Sequence, residues 1–381
     1  MFKVKVSGSV LKEVIEKAVC NMDKKSCVPI LQKVVLSVND SMLSAYTSDV
    51  YNYLTITSND VYECESGTIG IDVDDLKVLL KMSNDVIITE LENEILVLNG
   101  KRSISLMKYD LNDFPKIPTD DFESKLSLIE KDFSETLTNL VTFTSDSESN
   151  QLMQCFNCNL TNGRFETLDG HRIGMKTILD SEKLAESGDF LLNRCAVSSL
   201  KKALNKKSTE NITISEGSKY IKVSGNDFTY VQRKIEGEYF KLNNMLPNST
   251  EISFNVSTKE MMEVFKYYTE NVIDKQSKTP VILKIEDREI TTYGRNTRFA
   301  ASDCIEISDH NGNDLTIGFN PYFLVEALKV ADTETVRIGG DNPKSPFIIY
   351  AGRYSFLVLP VNMSKDSVEE MKIYLNKVNV A

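Results

Sequence analysis

Asp169-Gly170-His171-Arg172 places a carboxylate, an imidazole and a guanidinium within four positions, the group types that general acid–base chemistry uses. Cys155 and Cys158, in the stretch CFNC, have the spacing of half a zinc site. Neither motif finds partners along the chain. There are two histidines, and His310 sits in the turn-like stretch DHNGND, without ligand spacing to a second cysteine pair. Cys155 and Cys158 on an extended strand point to opposite faces, which reads as two buried thiols rather than a metal clip. No glycine loop of the phosphate-cradling kind is present. A metal-dependent hydrolase built on Asp169–Arg172 is therefore the alternative reading only, and no metal or cofactor is implied.

The elements that must position these groups follow a pattern that occurs three times. From Ile317 to Met363 an Asn320-Pro321 start opens a helix with Phe323, Leu324, Ala327 and Leu328 on one stripe. Three short strands follow, and the last stops at Pro360, which has no N–H for a ladder. Upstream, a strand at Phe2–Val6 precedes a helix with Leu11, Val14, Ile15, Ala18 and Val19 inward, leaving Lys12, Lys17, Lys24 and Lys25 off the stripe. A second helix is expected over Asp72–Met82 and a boundary at the prolines of NDFPKIP. The order repeats from about Ser127, where the second helix buries Val197, Leu200, Ala203 and Leu204 and leaves Arg194, Lys201, Lys202, Lys206 and Lys207 without nearby acids. EISFNVSTKEMMEV opens a third copy parallel to FKVKVSGSVLKEVI. The period of roughly 120 residues is far longer than a solenoid repeat. Three tandem α+β domains, each with two helices on antiparallel strands, is the direct reading.

Composition sets limits on function. With 381 residues, 41% hydrophobic and 26% charged, the chain can bury several cores. No apolar run is long enough to span a bilayer, and the seven cysteines lack framework spacing, so a reducing cytosolic setting is expected. A net charge of −11 excludes a protein that binds nucleic acid simply by being basic, and any DNA contact must be a local patch.

The stretches VPILQKVVLSV, YTSDVYNYLTI, NDFPKIP, LDGHRIGM, FNPYFLVEAL and FLVLPVNM, in this order and within the threefold repeat, make the chain similar to the bacterial sliding clamps, the β subunits of DNA polymerase III. The resemblance covers residues 1 to about 363. It implies three repeats of the clamp fold, at 1–122, 123–249 and 250–363, and a head-to-tail homodimer that rings duplex DNA with helices inside. It also implies a non-catalytic processivity factor, tethering the polymerase III α subunit, the clamp loader and other proteins that carry clamp-binding motifs. The implied inner patch is Lys12, Lys17, Lys24, Lys25, Arg194, Lys201, Lys202, Lys206, Lys207, Lys259 and Lys266. A ring that holds DNA topologically needs only modest phosphate attraction, which suits an acidic chain.

Peptide-pocket positions carry over onto Leu168, Gly170, His171, Arg172 and Ile173, onto Phe240, Asn244 and Met245, and onto Asn320, Phe323, Lys344 and Pro346. The remainder are Leu357, Val358, Leu359, Pro360, Val361, Asn362 and Met363. Asn244 and Asn362 stand where the family usually has basic residues. The implied subunit interface sets Ile104 and Leu106 against Val272 and Ile273 by adding one edge strand to another. The family pattern ends near Pro360, whereas this chain continues with SKDSVEEMKIYLNKVNVA. Ser367 and Glu370 form a capping-box pattern, and Val368, Met371, Leu375 and Val378 an apolar stripe, so 364–381 is expected as a docked helix. Two places for it stay open: beside or over the peptide groove, or on another apolar patch.

Overall fold

The structure, a computed structural model, describes residues 1–22, 24, 26–147, 149–247, 249–275 and 279–380. It falls into two compact units: Met1–Thr138 with Phe156–Asn162 and Leu179–Glu236, and Asn139–Cys155 with Gly163–Ile178 and Gly237–Ala381. The stretch expected as a middle domain is shared between them. No helix among the described residues is long and apolar enough to cross a membrane.

In the first unit, serine and asparagine caps start the helices. Ser7 accepts from the Val10 N–H at the head of α1 (Gly8–Val19). A helix over Asp72–Met82 does not form; α2 is the single turn Leu76–Leu79. Asp72 is engaged elsewhere, accepting from the Asp74 N–H and pairing with Lys33, and the Asp75 side chain caps nothing. The next helix, α3 (Glu130–Leu140), follows a strand directly, as α1 does. Asn193 caps α4 (Arg194–Ala203) through the Ala196 N–H. The Cys20 thiol donates to the Ser199 carbonyl at 3.4 Å and the Ser199 hydroxyl donates to Asn21 Oδ1 at 3.3 Å, so α1 and α4 lie side by side. They back onto an eight-stranded antiparallel sheet that includes Met42–Ser48 and Asn52–Ser58. A second sheet of five strands ends in the edge strand Arg102–Met107, which pairs only with Glu94–Asn99 among the described residues.

The second unit carries ten strands hydrogen-bonded in the order Arg164–Leu168, Arg172–Thr177, Tyr354–Val358, Phe347–Ala351, Thr335–Gly340, Ile252–Ser257, Ala300–Asn311, Glu289–Arg295, Val281–Glu286 and Leu315–Phe319. Ser257 caps α5 (Thr258–Tyr267), and Asn320 caps α6 (Pro321–Val330) with Pro321 at its first position. These two helices pack against each other, and Met261 and Leu324 share a core with Phe254, Leu283, Ile285, Phe319, Phe347 and Val358. The strand Ala300–Asn311 changes partner midway. Ile307, Ser308 and Asn311 face Val256, Asn255 and Ser253, whereas residues 300–306 pair with Glu289–Arg295 alone among the described residues. The last helix, α7 (Lys365–Val380), closes the chain. Strand–helix pairs recur at Lys3–Val19, Glu123–Leu140 and Ile252–Tyr267, and again ahead of α2, α4 and α6.

Candidate functional site: an apolar groove and a basic helix

Strand register builds the groove. Leu168 pairs with Ile173, Ile173 with Leu357, and Leu357 with Ile348, so four apolar side chains form one row across four strands. Met175 extends the row by strand alternation, Leu242 joins it, and Met153, Tyr239, Phe240 and Leu246 pack half-buried against the cluster. Leu168, Ile173, Phe240 and Leu357 are thus brought together as expected. Met153, Met175, Tyr239, Leu242, Leu246 and Ile348 had not been assigned there. Met175 was readable as the second residue beyond Ile173 on its face, and Ile348 from its pairing with Leu357. Met153, in the short turn Gln151–Gln154, gives no sequence signal.

The next row faces the other way. Arg172 pairs with Val358, and Val358 with Phe347. Val358 therefore lies in the core beneath α5 and α6, not in the groove. Arg172 is buried as a brace: Nε donates to Asp169 Oδ2 at 2.8 Å, Nη2 to the Thr142 carbonyl at 2.8 Å, and Nη1 to Glu326 on α6. Its guanidinium lies 4.5 Å from the Phe323 ring centre and 4.9 Å from that of Phe143. Asp169 Oδ1 also accepts the His171 and Arg172 N–H groups, at 2.9 and 3.0 Å. Gly170 completes the turn at φ +89°, which favours glycine. His171 is exposed and stacks on Phe323 at 6.0 Å, and its carbonyl accepts from the Leu359 N–H at 3.0 Å. The acid and guanidinium of this motif hold a hairpin rather than a reaction centre.

The remaining pocket positions scatter in kind. Leu359 is 37% exposed beside His171, and Asn244, Met245, Lys344 and Asn362 are exposed, with Pro346, Pro360 and Val361 half-buried. The Asn320 side chain is committed to the Tyr322 N–H as a cap. Met363 belongs elsewhere, with Ile282, Tyr293 and Met371 in the footing of α7. The expected cap also shifts by one turn segment: Ser364 Oγ accepts the Ser367 N–H, and Glu370 pairs with Arg295 at 2.6 Å instead of folding back. Of the two places left open for this helix, the structure takes the second, a patch distinct from the groove.

The basic candidates divide similarly. Lys17 is half-buried in a double ion pair, 3.0 Å from Glu13 and 3.1 Å from Asp227. Although burial works against its charge, those two carboxylates raise its pKa above the ordinary 10.5. Lys12 faces Glu16 at 3.9 Å, and Lys266 faces Glu270 at 3.7 Å. Lys25 lies outside the described residues. Lys24 and Lys259 are exposed. By contrast Lys201, Lys202 and Lys206 line one concavity with Lys12 and Lys17, and Arg194 and Lys207 are exposed at the two ends of the same segment. Partial burial and then repulsion from Lys206 pull the Lys201 pKa below the ordinary 10.5, although Glu13 and Glu16 line the same concavity.

Of the interface candidates, Ile104 is half-buried and Leu106 buried on the edge strand Arg102–Met107. Val272 and Ile273 are buried, but they line a cavity of about 830 Å³ beside the open strand 300–306, together with Tyr322 and Phe299. The Tyr322 hydroxyl bonds to the Thr269 and Ile273 carbonyls at 3.0 and 2.9 Å and so fixes that wall.

Residues 243–364 match the family model described as the DNA polymerase III beta subunit, C-terminal domain. The beta sliding clamp of Chlamydia muridarum is 20% identical over 371 residues, covering 96% of this chain and 100% of the relative. Among solved structures, a putative DNA polymerase III beta subunit from Eubacterium rectale superposes with a TM-score of 0.87 at 24% identity, over 95% of this chain and all of that one. The DNA polymerase sliding clamp of Bacillus subtilis does so with a TM-score of 0.88 at 17% identity and the same coverage. The domain match over residues 243–364, the near full-length relatives and the shared fold agree: this chain has the clamp fold and is similar along its length to the bacterial beta sliding clamps.

Proposed function

We propose that two copies of this chain join head to tail into a ring around duplex DNA. Short segments of the polymerase III α subunit, the clamp loader and other clamp-binding proteins then dock in the groove of the second unit. The observation that carries the tethering role is the cross-strand row Leu168, Ile173, Leu357 and Ile348 with its half-buried rim of Met153, Phe240 and Leu246. Such a rim of flexible apolar side chains can repack around varied peptides. The ring reading is supported by the two open strand edges, Arg102–Met107 and 300–306, whose charges are complementary: Lys101 and Arg102 against Asp303 and Glu306. The repeat boundaries near 122, 249 and 363 belong to the same reading, as does a place of work in the cytoplasm.

The protein is a non-catalytic clamp, and the hydrolase alternative is set aside. The curated relatives it matches are sliding clamps, and the Asp169 and Arg172 side chains are spent on one another and on the hairpin. The test is fluorescence anisotropy with a labelled clamp-binding peptide. Binding by the full chain, lost in Leu359→Asp at the exposed rim, is the expected result. A full chain that does not bind the peptide at all would overturn the groove assignment.

A further inference from the structure

The helix α7 crosses the outer face of the sheet, the face opposite α5 and α6. Its root at Met363 lies against Gly318 on the strand Leu315–Phe319. Met371, 1% exposed, sits on Ile282 and Tyr293, and the Tyr374 hydroxyl reaches the Ala300 carbonyl at 3.3 Å. The helix therefore runs strand by strand toward the open edge at 300–306. Its apolar stripe does not stop there: one turn beyond Leu375, Val378 continues the buried face and is 49% exposed. Continued in that direction at about 1.5 Å per residue, the last turn is carried toward the place where a further strand would add.

We propose that α7 is a brace across the subunit boundary, its last turn packing on the outer face of the strand that a second copy adds at this edge. The inference rests on the two-copy ring. In a sheet continued across copies, outer face meets outer face. On Arg102–Met107 the inner face is the one carrying Leu106, so alternation puts Met107 outside, where it is 66% exposed. The partner's Met107 and Val378 are two exposed apolar side chains on the same side of that junction.

Sedimentation equilibrium of the full chain tests this, with four variants compared to the natural sequence. Val378→Asp raises the dimer dissociation constant about tenfold with an unchanged melting temperature, since the site is exposed in one copy. Adding Met107→Lys to Val378→Asp recovers most of that loss, whereas Met107→Lys alone weakens the dimer; Ile104→Asp serves as the edge control. If Ile104→Asp is monomeric and Val378→Asp dimerises like the natural chain, the brace is overturned and the ring stands. Weakening that Met107→Lys fails to relieve overturns the assigned contact. A natural chain that stays monomeric at every concentration overturns the ring and the brace together.

Discussion

The groove around Leu168 and the basic end of α4 are two sites made in different ways. The groove exists only because four strands, distant in sequence, align one residue from each into a row, with Arg172 tying the hairpin to α6 from behind. The α4 segment needs nothing but its own sequence: five basic residues from Arg194 to Lys207, no acid among them, and Asn193 to start the helix. A site assembled by register concentrates its dependence in a few buried residues. A site assembled by local charge spreads its dependence over many exposed ones.

That contrast breaks first at Arg172. Arg172→Ala leaves Asp169 and Glu326 without their shared counter-charge in a largely buried setting, so a loss of about 3 kcal/mol of unfolding free energy is expected. It is read by chemical denaturation, with peptide binding lost alongside. A variant as stable as the natural chain would show that the hairpin does not depend on the brace. The α4 segment should behave differently. Replacing Lys201, Lys202, Lys206 and Lys207 by alanine leaves melting and peptide affinity unchanged while weakening DNA association at low salt. The slope of log affinity against log salt should fall by roughly 0.9 for each phosphate contact removed. Single replacements should each give only a fraction of this.

The smallest effect sharpens the comparison within the basic residues themselves. Lys17→Ala should leave the salt slope of DNA association unchanged and cost less than about 1 kcal/mol in stability, because its partners are partly solvated. Its folded pKa lies above the ordinary 10.5, so its contribution is fully present below pH 10.5 and disappears as pH rises through the higher folded value. Denaturation midpoints of the natural and variant chains should therefore converge on the alkaline side. A change in salt slope would return Lys17 to the DNA-facing set.

The same contrast explains what could be read from sequence. The three strand–helix openings, the Asn320-Pro321 helix start and the charge of α4 are local patterns, and the structure carries them with boundaries shifted by a residue or two. The failures are places where a neighbour distant in sequence decides. Asp72 ends a strand and pairs with Lys33 where a helix start was expected, and Lys17 is drawn to Asp227. Val358 and Leu357 are adjacent in sequence yet serve the core and the groove, a split visible only once strand pairing is known. Met363 follows the family's terminal motif in sequence but is claimed by α7.

The footing of α7 has a practical consequence for handling this protein. Ile282 and Tyr293 are buried on a sheet face by Met371 and its neighbours. A chain cut after Met363 would present that patch bare to solvent. Such a product is expected to be sticky and poorly soluble. Lost activity in a nonsense allele ending there would then report precipitation, and internal point changes such as Val378→Asp are the cleaner way to probe the tail.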